Sequence, residues 1–349
     1  MPQLGQGAIA DPMVDKPIQP VGPEPEPDLS LSRRFFNLRT LLSFGVAAVI
    51  LAIVATRADI DFAATWATMV KANPFLYVAA FSVYYASFPL RGLRWKRLGQ
   101  NVGFDQESGG RLPSTLGLTR IILLSWLANC IVPAKLGDAY RGYLLKKNAN
   151  VSFSKTMGTI LAERIMDMII LFALLVLSAL VVAHSRDSST AVAILEGGLV
   201  VVALILVGLA GMRYLGRTIE RLLPLRVRAF YRRFEDGTLQ SFQHLPSVIL
   251  LTVAIWMCEA GRLYFIGQSL SAGIDLSMVV FVALANSLLT ALPFTPGGVG
   301  LVEVGVTGLL TIAVSKESAL AITALDRSIS YVSVIVVGLL FYIITSRKR

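Results

Sequence analysis

The chain has 349 residues, of which 55% are hydrophobic and only 15% are charged, against roughly 25% charged residues in an average soluble domain. Its mean hydropathy is +0.67, which leaves no room for a soluble catalytic domain. The formal net charge of +10 at pH 7 is concentrated in the connections between apolar runs. That distribution is typical of membrane proteins, which keep positively charged loops in the cytoplasm, and it argues against nucleic-acid binding.

The N-terminal segment, residues 1–35, is predicted to be a disordered cytoplasmic tail. Prolines alternate with acidic residues between positions 20 and 28, and large apolar side chains are almost absent. Such a segment cannot bury enough apolar surface to fold. Residues 36–349 are predicted to form one transmembrane domain.

Six apolar runs are long enough to cross a bilayer, which takes about 20 residues. They lie near 40–56, 74–90, 156–183, 191–212, 244–270 and 318–345. Two further apolar stretches, 117–133 and 276–314, are interrupted by proline. Because basic connections flank 117–133 on both sides, a full crossing would place one of them outside. We therefore expect two re-entrant hairpins within the bundle, where irregular backbone is tolerated at membrane depth.

Loop charge predicts the orientation of the spans. The connections 91–117 and 213–243 are rich in arginine, the first containing Arg91 and Arg94, and the chain ends on Arg347-Lys348-Arg349. The opposite connections carry few basic residues. Both termini are therefore expected in the cytoplasm of a multi-pass protein of the inner (plasma) membrane.

The two interrupted stretches indicate an internal repeat. Each contains a Pro-x-x-x-Gly pattern, from Pro133 to Gly137 and from Pro296 to Gly300. An acid–arginine dipeptide follows each, Glu163-Arg164 and Asp326-Arg327, and its arginine comes 27 positions after the glycine in both cases. Three crossings per half predict halves of opposite orientation, about 36–185 and 190–349. Inverted repeats with broken helices are typical of secondary transporters.

Several ionisable residues fall inside predicted membrane segments. Each would cost about 3 kcal/mol at a lipid-facing helix centre, so we expect them to face the interior, paired or hydrated. Helical spacing permits the pairs Arg164–Asp167 and Glu259–Arg262, and the symmetry of the repeat suggests that Asp326-Arg327 pairs with Glu163-Arg164. These charged residues fix the register of the helices as buried pairs, or line a path for a polar headgroup, or do both. The complete set is Glu163, Arg164, Asp167, Glu259, Arg262, Glu303, Asp326 and Arg327.

The proline–glycine loop is a candidate anion site. Glycines let backbone amides approach a ligand, and the loop precedes a helix expected to begin near Leu301, whose dipole favours an anion. Close helix packing is the other explanation for these glycines. The candidate residues at the two hairpins are Asn129, Lys135, Asp138, Arg141, Asn286, Pro296, Gly297, Gly298 and Gly300.

From about residue 40 to 345 the chain resembles the flippase-like membrane domain family, also called the lysylphosphatidylglycerol synthase transmembrane region. The resemblance implies movement of a lipid or glycolipid across a bacterial or archaeal membrane. Family members with a fused aminoacyl-transferase domain make aminoacylated lipid, and no connection between spans here is long enough to hold such a domain. The matching residues are Asn129 to Pro133, Gly137-Asp138, Arg141, Glu163-Arg164, Asp167, Leu292-Pro293, Thr295-Pro296-Gly297-Gly298, Gly300 and Glu303.

These features predict a lipid translocase that is not an enzyme and uses no cofactor or metal. Its expected partner is a membrane lipid with an anionic or glycosylated headgroup, and homo-oligomerisation stays open. One alternative is a membrane-embedded lipid-modifying enzyme such as a glycosyltransferase, for which the only acidic motif on a predicted outer loop is Asp59-Ile60-Asp61. The other is a non-transporting membrane partner of a lipid-synthesis complex.

Overall fold

The computed structural model describes residues 61–132, 136–185, 189–291 and 295–346, with isolated positions between 42 and 52. These ranges are helical and contain no β-strand, so the all-α expectation is confirmed for this part of the chain. A 3₁₀ turn spans Pro296–Gly298 and a π-helix spans Ser328–Ser333. The α-helices are α1 (Phe62–Val70), α2 (Pro74–Asn101), α3 (Phe104–Glu107), α4 (Thr115–Ile131), α5 (Leu136–Ala149), α6 (Phe153–Ser185), α7 (Ser189–Leu222), α8 (Leu225–Gln240), α9 (Leu245–Ser269), α10 (Leu276–Ala291), α11 (Leu301–Leu310), α12 (Lys316–Arg327) and α13 (Val334–Ser346).

Three described segments are long and apolar enough to cross a membrane: Glu196–Leu222, Leu245–Ser269 and Lys316–Ile344. They correspond to three of the predicted spans. Shorter apolar helices cover Thr115–Ile131 and Pro296–Leu310, inside the two interrupted stretches. The predicted span 40–56 lies largely outside the described residues.

Helix α2 is longer than the sequence predicted. Asn73 caps its N-terminus by accepting a hydrogen bond from the amide of Phe75 at 2.9 Å, and Pro74 occupies the first turn, where proline is favoured. The helix then continues through Arg91 and Arg94 to Asn101. The prediction that a loop begins at residue 91 was wrong, because both arginines are buried and bonded to carboxylates.

The centre of the bundle is the packing of α2 against α9, around which the interrupted stretches are arranged. Helix α4 contacts α2 and α13, while α10 contacts α9 and α6. Each interrupted stretch therefore packs on a long helix from the distant half of the chain. The helices on either side of each interruption also pack together, α4 with α5 and α10 with α11.

The basic connection 213–243 contains a helix of its own, α8, which packs closely on α6. Two glycines make this approach possible. A Cβ at Gly158 would overlap the carbonyl oxygen of Phe234, and a Cβ at Gly237 would overlap that of Lys155. The backbones of the two helices thus touch directly at this crossing.

We predict that Gly237→Ala destabilises the protein, because the added methyl group forces α8 away from α6. Overpacking of this kind costs about 1–3 kcal/mol. Gly211→Ala is the matched control, since a Cβ there meets nothing within 4 Å and alanine is the better helix former by about 1 kcal/mol. Thermal unfolding in detergent should show a lower midpoint for the first variant and an unchanged or higher one for the second. Equal midpoints would contradict the close crossing.

Candidate functional site

A cavity of about 170 Å³ lies between α2, α4, α6, α9, α10, the 3₁₀ turn and the π-helix. Its wall combines aromatic rings with charged and amide side chains. The predicted site residues that line it are Asn129, Arg164, Asp167, Glu259, Arg262, Asn286, Gly297, Gly298 and Arg327. Those that do not line it are Asp138, Arg141, Glu163, Pro296, Gly300, Glu303 and Asp326. Lys135 lies outside the described residues.

Arg94, which is fully buried, lies behind the cavity wall and bonds the lining residue Asp167. Its guanidinium donates to Glu163 Oε1 at 2.9 Å and to Asp167 Oδ1 at 2.5 Å, both on α6. It also donates to Thr252 Oγ1 on α9 at 3.0 Å. Glu163 Oε2 accepts a further bond from Arg141 at 2.6 Å. Two arginines and two carboxylates therefore form one ion-paired chain linking α2, α5 and α6.

A second ion-paired chain crosses the α2–α9 interface. Arg91 donates to Glu259 Oε1 at 2.8 Å, and Arg262 donates to Glu259 Oε2 at 2.6 Å. Arg262 also donates to Asp326 Oδ1 at 2.7 Å. All four side chains are buried. Removing one partner of a buried ion pair leaves the other charge unpaired and destabilises the fold by about 3–5 kcal/mol.

Two separate pairs complete the set of charges. Arg164 contacts both carboxylate oxygens of Asp138, at 2.9 and 3.1 Å from one guanidinium nitrogen. Arg327 donates to Glu303 Oε1 at 2.7 Å and to the carbonyl oxygen of Gly297 at 2.9 Å. Each arginine of the repeated dipeptide thus pairs with an acid near the start of the helix that follows Pro-x-x-x-Gly.

These pairings correct part of the sequence prediction. The Glu259–Arg262 pair is formed. The expected pairing of Asp326-Arg327 with Glu163-Arg164 is wrong. Asp326 pairs with Arg262, and Arg327 pairs with Glu303. The Arg164–Asp167 pair that helical spacing permits is not formed, since Arg164 pairs with Asp138 and Asp167 with Arg94.

Sequence reasoning missed Arg91 and Arg94, which it assigned to a cytoplasmic connection. Both lie within α2 and are at most 5% exposed. One signal could have identified them. Arg91 and Arg94 are three residues apart, as are Glu259 and Arg262 in the other half, and a three-residue spacing keeps two side chains on one helix face.

Two amides of the proline–glycine loop are bonded within the protein. The amide of Gly300 donates to Glu303 Oε2 at 2.6 Å, and that of Gly298 to the Thr295 carbonyl oxygen at 3.2 Å. The protein's own Glu303 carboxylate occupies the position predicted for a ligand anion. The anion would have to displace it, so the amide site in its simple form is not supported.

The glycines of this loop have a structural role. Gly298 has a φ of 74°, and a Cβ there would lie 2.6 Å from Val302 Cγ2. A Cβ at Gly297 would overlap the ring of Tyr331. Gly298→Val is therefore expected to destabilise the protein, because a β-branched residue is strained at this φ.

Tyr331 of the π-helix joins the tips of both interrupted stretches. Its hydroxyl donates to the Cys130 carbonyl oxygen at 3.1 Å, and its ring covers Gly297. At the first tip, Asn129 Oδ1 accepts the amide of Gly137 at 2.8 Å, which fixes the start of α5. The two tips meet beside the cavity.

The cavity wall also contains buried polar atoms without a hydrogen-bond partner. These are Trp256 Nε1, Thr295 Oγ1 and Arg91 Nε. A buried polar atom left unpaired costs about 1–3 kcal/mol. Such a cost is tolerated where a ligand or water completes the bonding, so these three residues are candidate ligand contacts.

The sequence comparisons place most of the chain in one family. The model of the family described as the lysylphosphatidylglycerol synthase TM region matches residues 40–338. The chain belongs to this family of membrane proteins. The match includes every described residue that lines the cavity.

Three relatives of this chain come from archaea. A UPF0104 membrane protein of Methanocaldococcus jannaschii is 35% identical over 63% of this chain and 94% of its own length. A second, from Pyrococcus horikoshii, is 25% identical over 75% of this chain and 85% of its own. Glycosyltransferase AglD of Haloferax volcanii is 26% identical over 86% of this chain. The chain covers only 54% of AglD.

The observed pairing gives a charge-swap prediction. Arg327→Glu should lower the thermal unfolding midpoint, because it places two acids together, and adding Glu303→Arg should recover at least half of the loss. Adding Glu163→Arg instead should deepen it, since Glu163 contacts Arg94 and Arg141. Recovery by Glu163→Arg and not by Glu303→Arg would contradict the pairing.

Proposed function

We propose that this protein is a lipid translocase, in which a polar headgroup passes through the cavity while the acyl chains stay in the bilayer. The observation that carries the proposal is a polar, ion-paired cavity inside an apolar helical bundle of a membrane protein. Ionisable side chains at membrane depth are costly and commonly mark a substrate path.

The cavity volume supports passage of a headgroup alone. Its 170 Å³ is below the roughly 300–1,000 Å³ of pockets that enclose drug-sized ligands. A whole lipid does not fit, whereas one sugar or phosphate group does. The chains must then remain outside, in the membrane.

An inverted repeat is part of the proposal, and matching contacts support it. Helix α4 packs on α13 as α10 packs on α6, and Arg94 and Arg262 each bind the acid of one repeated dipeptide. We place the halves at about 36–185 and 190–349, with the two hairpins entering from opposite faces. Six spans and cytoplasmic termini in the inner (plasma) membrane follow from this arrangement.

A second candidate function is membrane glycosyl transfer, because one relative is named glycosyltransferase AglD. About half of that protein lies outside the region it shares with this chain. Of the acidic motif at 59–61, Asp61 accepts the Ala64 amide at 2.8 Å and so caps α1. We therefore favour translocation without catalysis, acting on a membrane lipid and needing neither cofactor nor nucleic acid.

We predict that Trp256→Phe and Thr295→Val each slow lipid translocation about fivefold, the equivalent of one hydrogen bond of about 1 kcal/mol. Both remove an unpartnered polar group from a residue of the cavity wall. Thr295→Val keeps the shape of the side chain, whereas Trp256→Phe also removes one ring. The measurement is the rate at which fluorescent lipids become accessible to dithionite in proteoliposomes.

Ser87→Ala is the matched control for these two variants. The Ser87 hydroxyl is also buried and unpartnered, but it lies outside the cavity. Its loss should leave the translocation rate unchanged. Wild-type protein that moves no lipid, or folded cavity variants as fast as Ser87→Ala, would contradict the proposed path.

The topology gives a separate prediction. In intact cells, an impermeant maleimide should label a cysteine at Ser271, and should not label one at Leu225 or Lys147, all three of which are exposed positions. Unmodified protein gives the background, since Cys130 is buried. Labelling at position 147 from outside would contradict a first hairpin that enters from the cytoplasm.

A further inference from the structure

The described residues that line the cavity carry more positive than negative charge. Four arginines line it against two carboxylates. The carboxylates that pair with three of these arginines, Asp138, Asp326 and Glu303, do not line it. A group inside the cavity therefore meets more guanidinium than carboxylate groups. The lining charges are Arg91, Arg164, Arg262 and Arg327 with Asp167 and Glu259.

Two of the four lining arginines are more accessible than the other two. Arg91 and Arg262 belong to the buried chain of four charges at the α2–α9 interface, and their side chains are 6% and 5% exposed. Arg164 and Arg327 lie outside that chain, each with one carboxylate partner, and their side chains are 33% and 12% exposed. A ligand reaches these two arginines without breaking the buried chain.

Each of these two guanidinium groups also keeps donors for a ligand. Arg164 uses Nε and Nη2 for the carboxylate oxygens of Asp138. Arg327 uses Nε for Glu303 and Nη2 for the carbonyl oxygen of Gly297. Among the described residues, no acceptor bonds Nη1 of either arginine. Because a guanidinium carries five N–H donors, both side chains can bind an anion while they keep their present partners.

The two arginines come from the two halves of the chain and line one cavity. Arg164 lies on α6 and Arg327 ends α12, and each is the arginine of a repeated acid–arginine dipeptide. The cavity of about 170 Å³ is small enough that one compact group fills it. A phosphate offers several acceptor oxygens in a geometry that matches guanidinium donors. One phosphate group can therefore accept hydrogen bonds from both halves.

We infer that Arg164 and Arg327 bind the phosphate of an anionic lipid headgroup inside the cavity. This inference rests on the proposed function and selects the anionic member of the anionic or glycosylated class expected from the sequence. It also moves the anion from the loop amides to arginine side chains. The Glu303 carboxylate bonds the Gly300 amide, whereas both arginines have a nitrogen to spare.

Binding and transport are measured with two lipids that both carry hydroxyl groups and differ in phosphate. The probes are short-chain phosphatidylglycerol and glucosyl diacylglycerol, offered to the full-length protein in a detergent and buffer without sugar or phosphate. We expect phosphatidylglycerol to bind about tenfold more tightly, because hydrogen bonds to a charged group are the stronger ones. Translocation in proteoliposomes should follow the same order. A glucosyl lipid that binds as tightly as phosphatidylglycerol would overturn the inference.

Inorganic phosphate separates a lipid headgroup from a free anion. It lacks acyl chains, so we expect it to bind more weakly than phosphatidylglycerol, and equal affinity would overturn the lipid part of the inference. Selective binding of phosphatidylglycerol without any lipid movement would reject the proposed translocation and leave the phosphate site standing. Movement of both lipids without selective binding would reject the phosphate site and leave translocation standing, which keeps the two failures distinct.

Two variants of one ion pair should change the affinity in opposite directions. Arg164→Gln removes a ligand cation, so phosphatidylglycerol should bind about tenfold more weakly. Asp138→Asn neutralises the competing carboxylate at nearly constant shape, so phosphatidylglycerol should bind more tightly than to wild type. If the pair only supported the fold, both variants would weaken binding.

Arg111→Gln is the matched control, because it removes the same charge at an exposed position outside the cavity lining. Its affinity for phosphatidylglycerol should equal that of the wild type. Unchanged binding in folded Arg164→Gln protein, or no tightening in folded Asp138→Asn protein, would overturn the role assigned to Arg164. The comparison of the two lipids on wild-type protein decides the inference if neither variant folds.

Discussion

Complete burial of the Arg94 guanidinium is the constraint on which the rest of the structure depends. A charge removed from water is tolerated only when partners surround it, and Arg94 finds them on two other helices, Glu163 and Asp167 on α6 and Thr252 on α9. These bonds require α2, α6 and α9 to meet at one depth. They also explain why α2 continues beyond its apolar run to Asn101.

The second chain of charges extends this constraint to the other half of the bundle. Glu259 bonds Arg91 on α2 and Arg262 on its own helix, and Arg262 reaches Asp326. The long helices of both halves are thus tied by directional bonds in an apolar surrounding, where packing of similar apolar side chains discriminates poorly between registers. The cavity lies between the tied helices, so its shape depends on both chains.

The tips of the interrupted stretches close on this framework through backbone groups. Tyr331 binds the Cys130 carbonyl oxygen and covers Gly297, while Arg327 binds the Gly297 carbonyl oxygen and Glu303. Glycine is required where a side chain would displace the Tyr331 ring. The helices therefore hold the charges, and the described loop residues Val132, Thr295, Gly297 and Gly298 line the cavity.

Local properties of the sequence determined the helical class, the interrupted stretches and most of the charged and amide side chains of the cavity wall, because apolar length, proline and buried charge act over a few residues. The Glu259–Arg262 pair also followed from helical spacing alone. Only the tertiary structure decided that Arg91 and Arg94 belong to the site, and that Arg327 binds Glu303. Those outcomes depend on which helices come into contact. A buried charge pairs with the opposite charge that lies nearest in space, and spacing along the chain does not reveal which one that is.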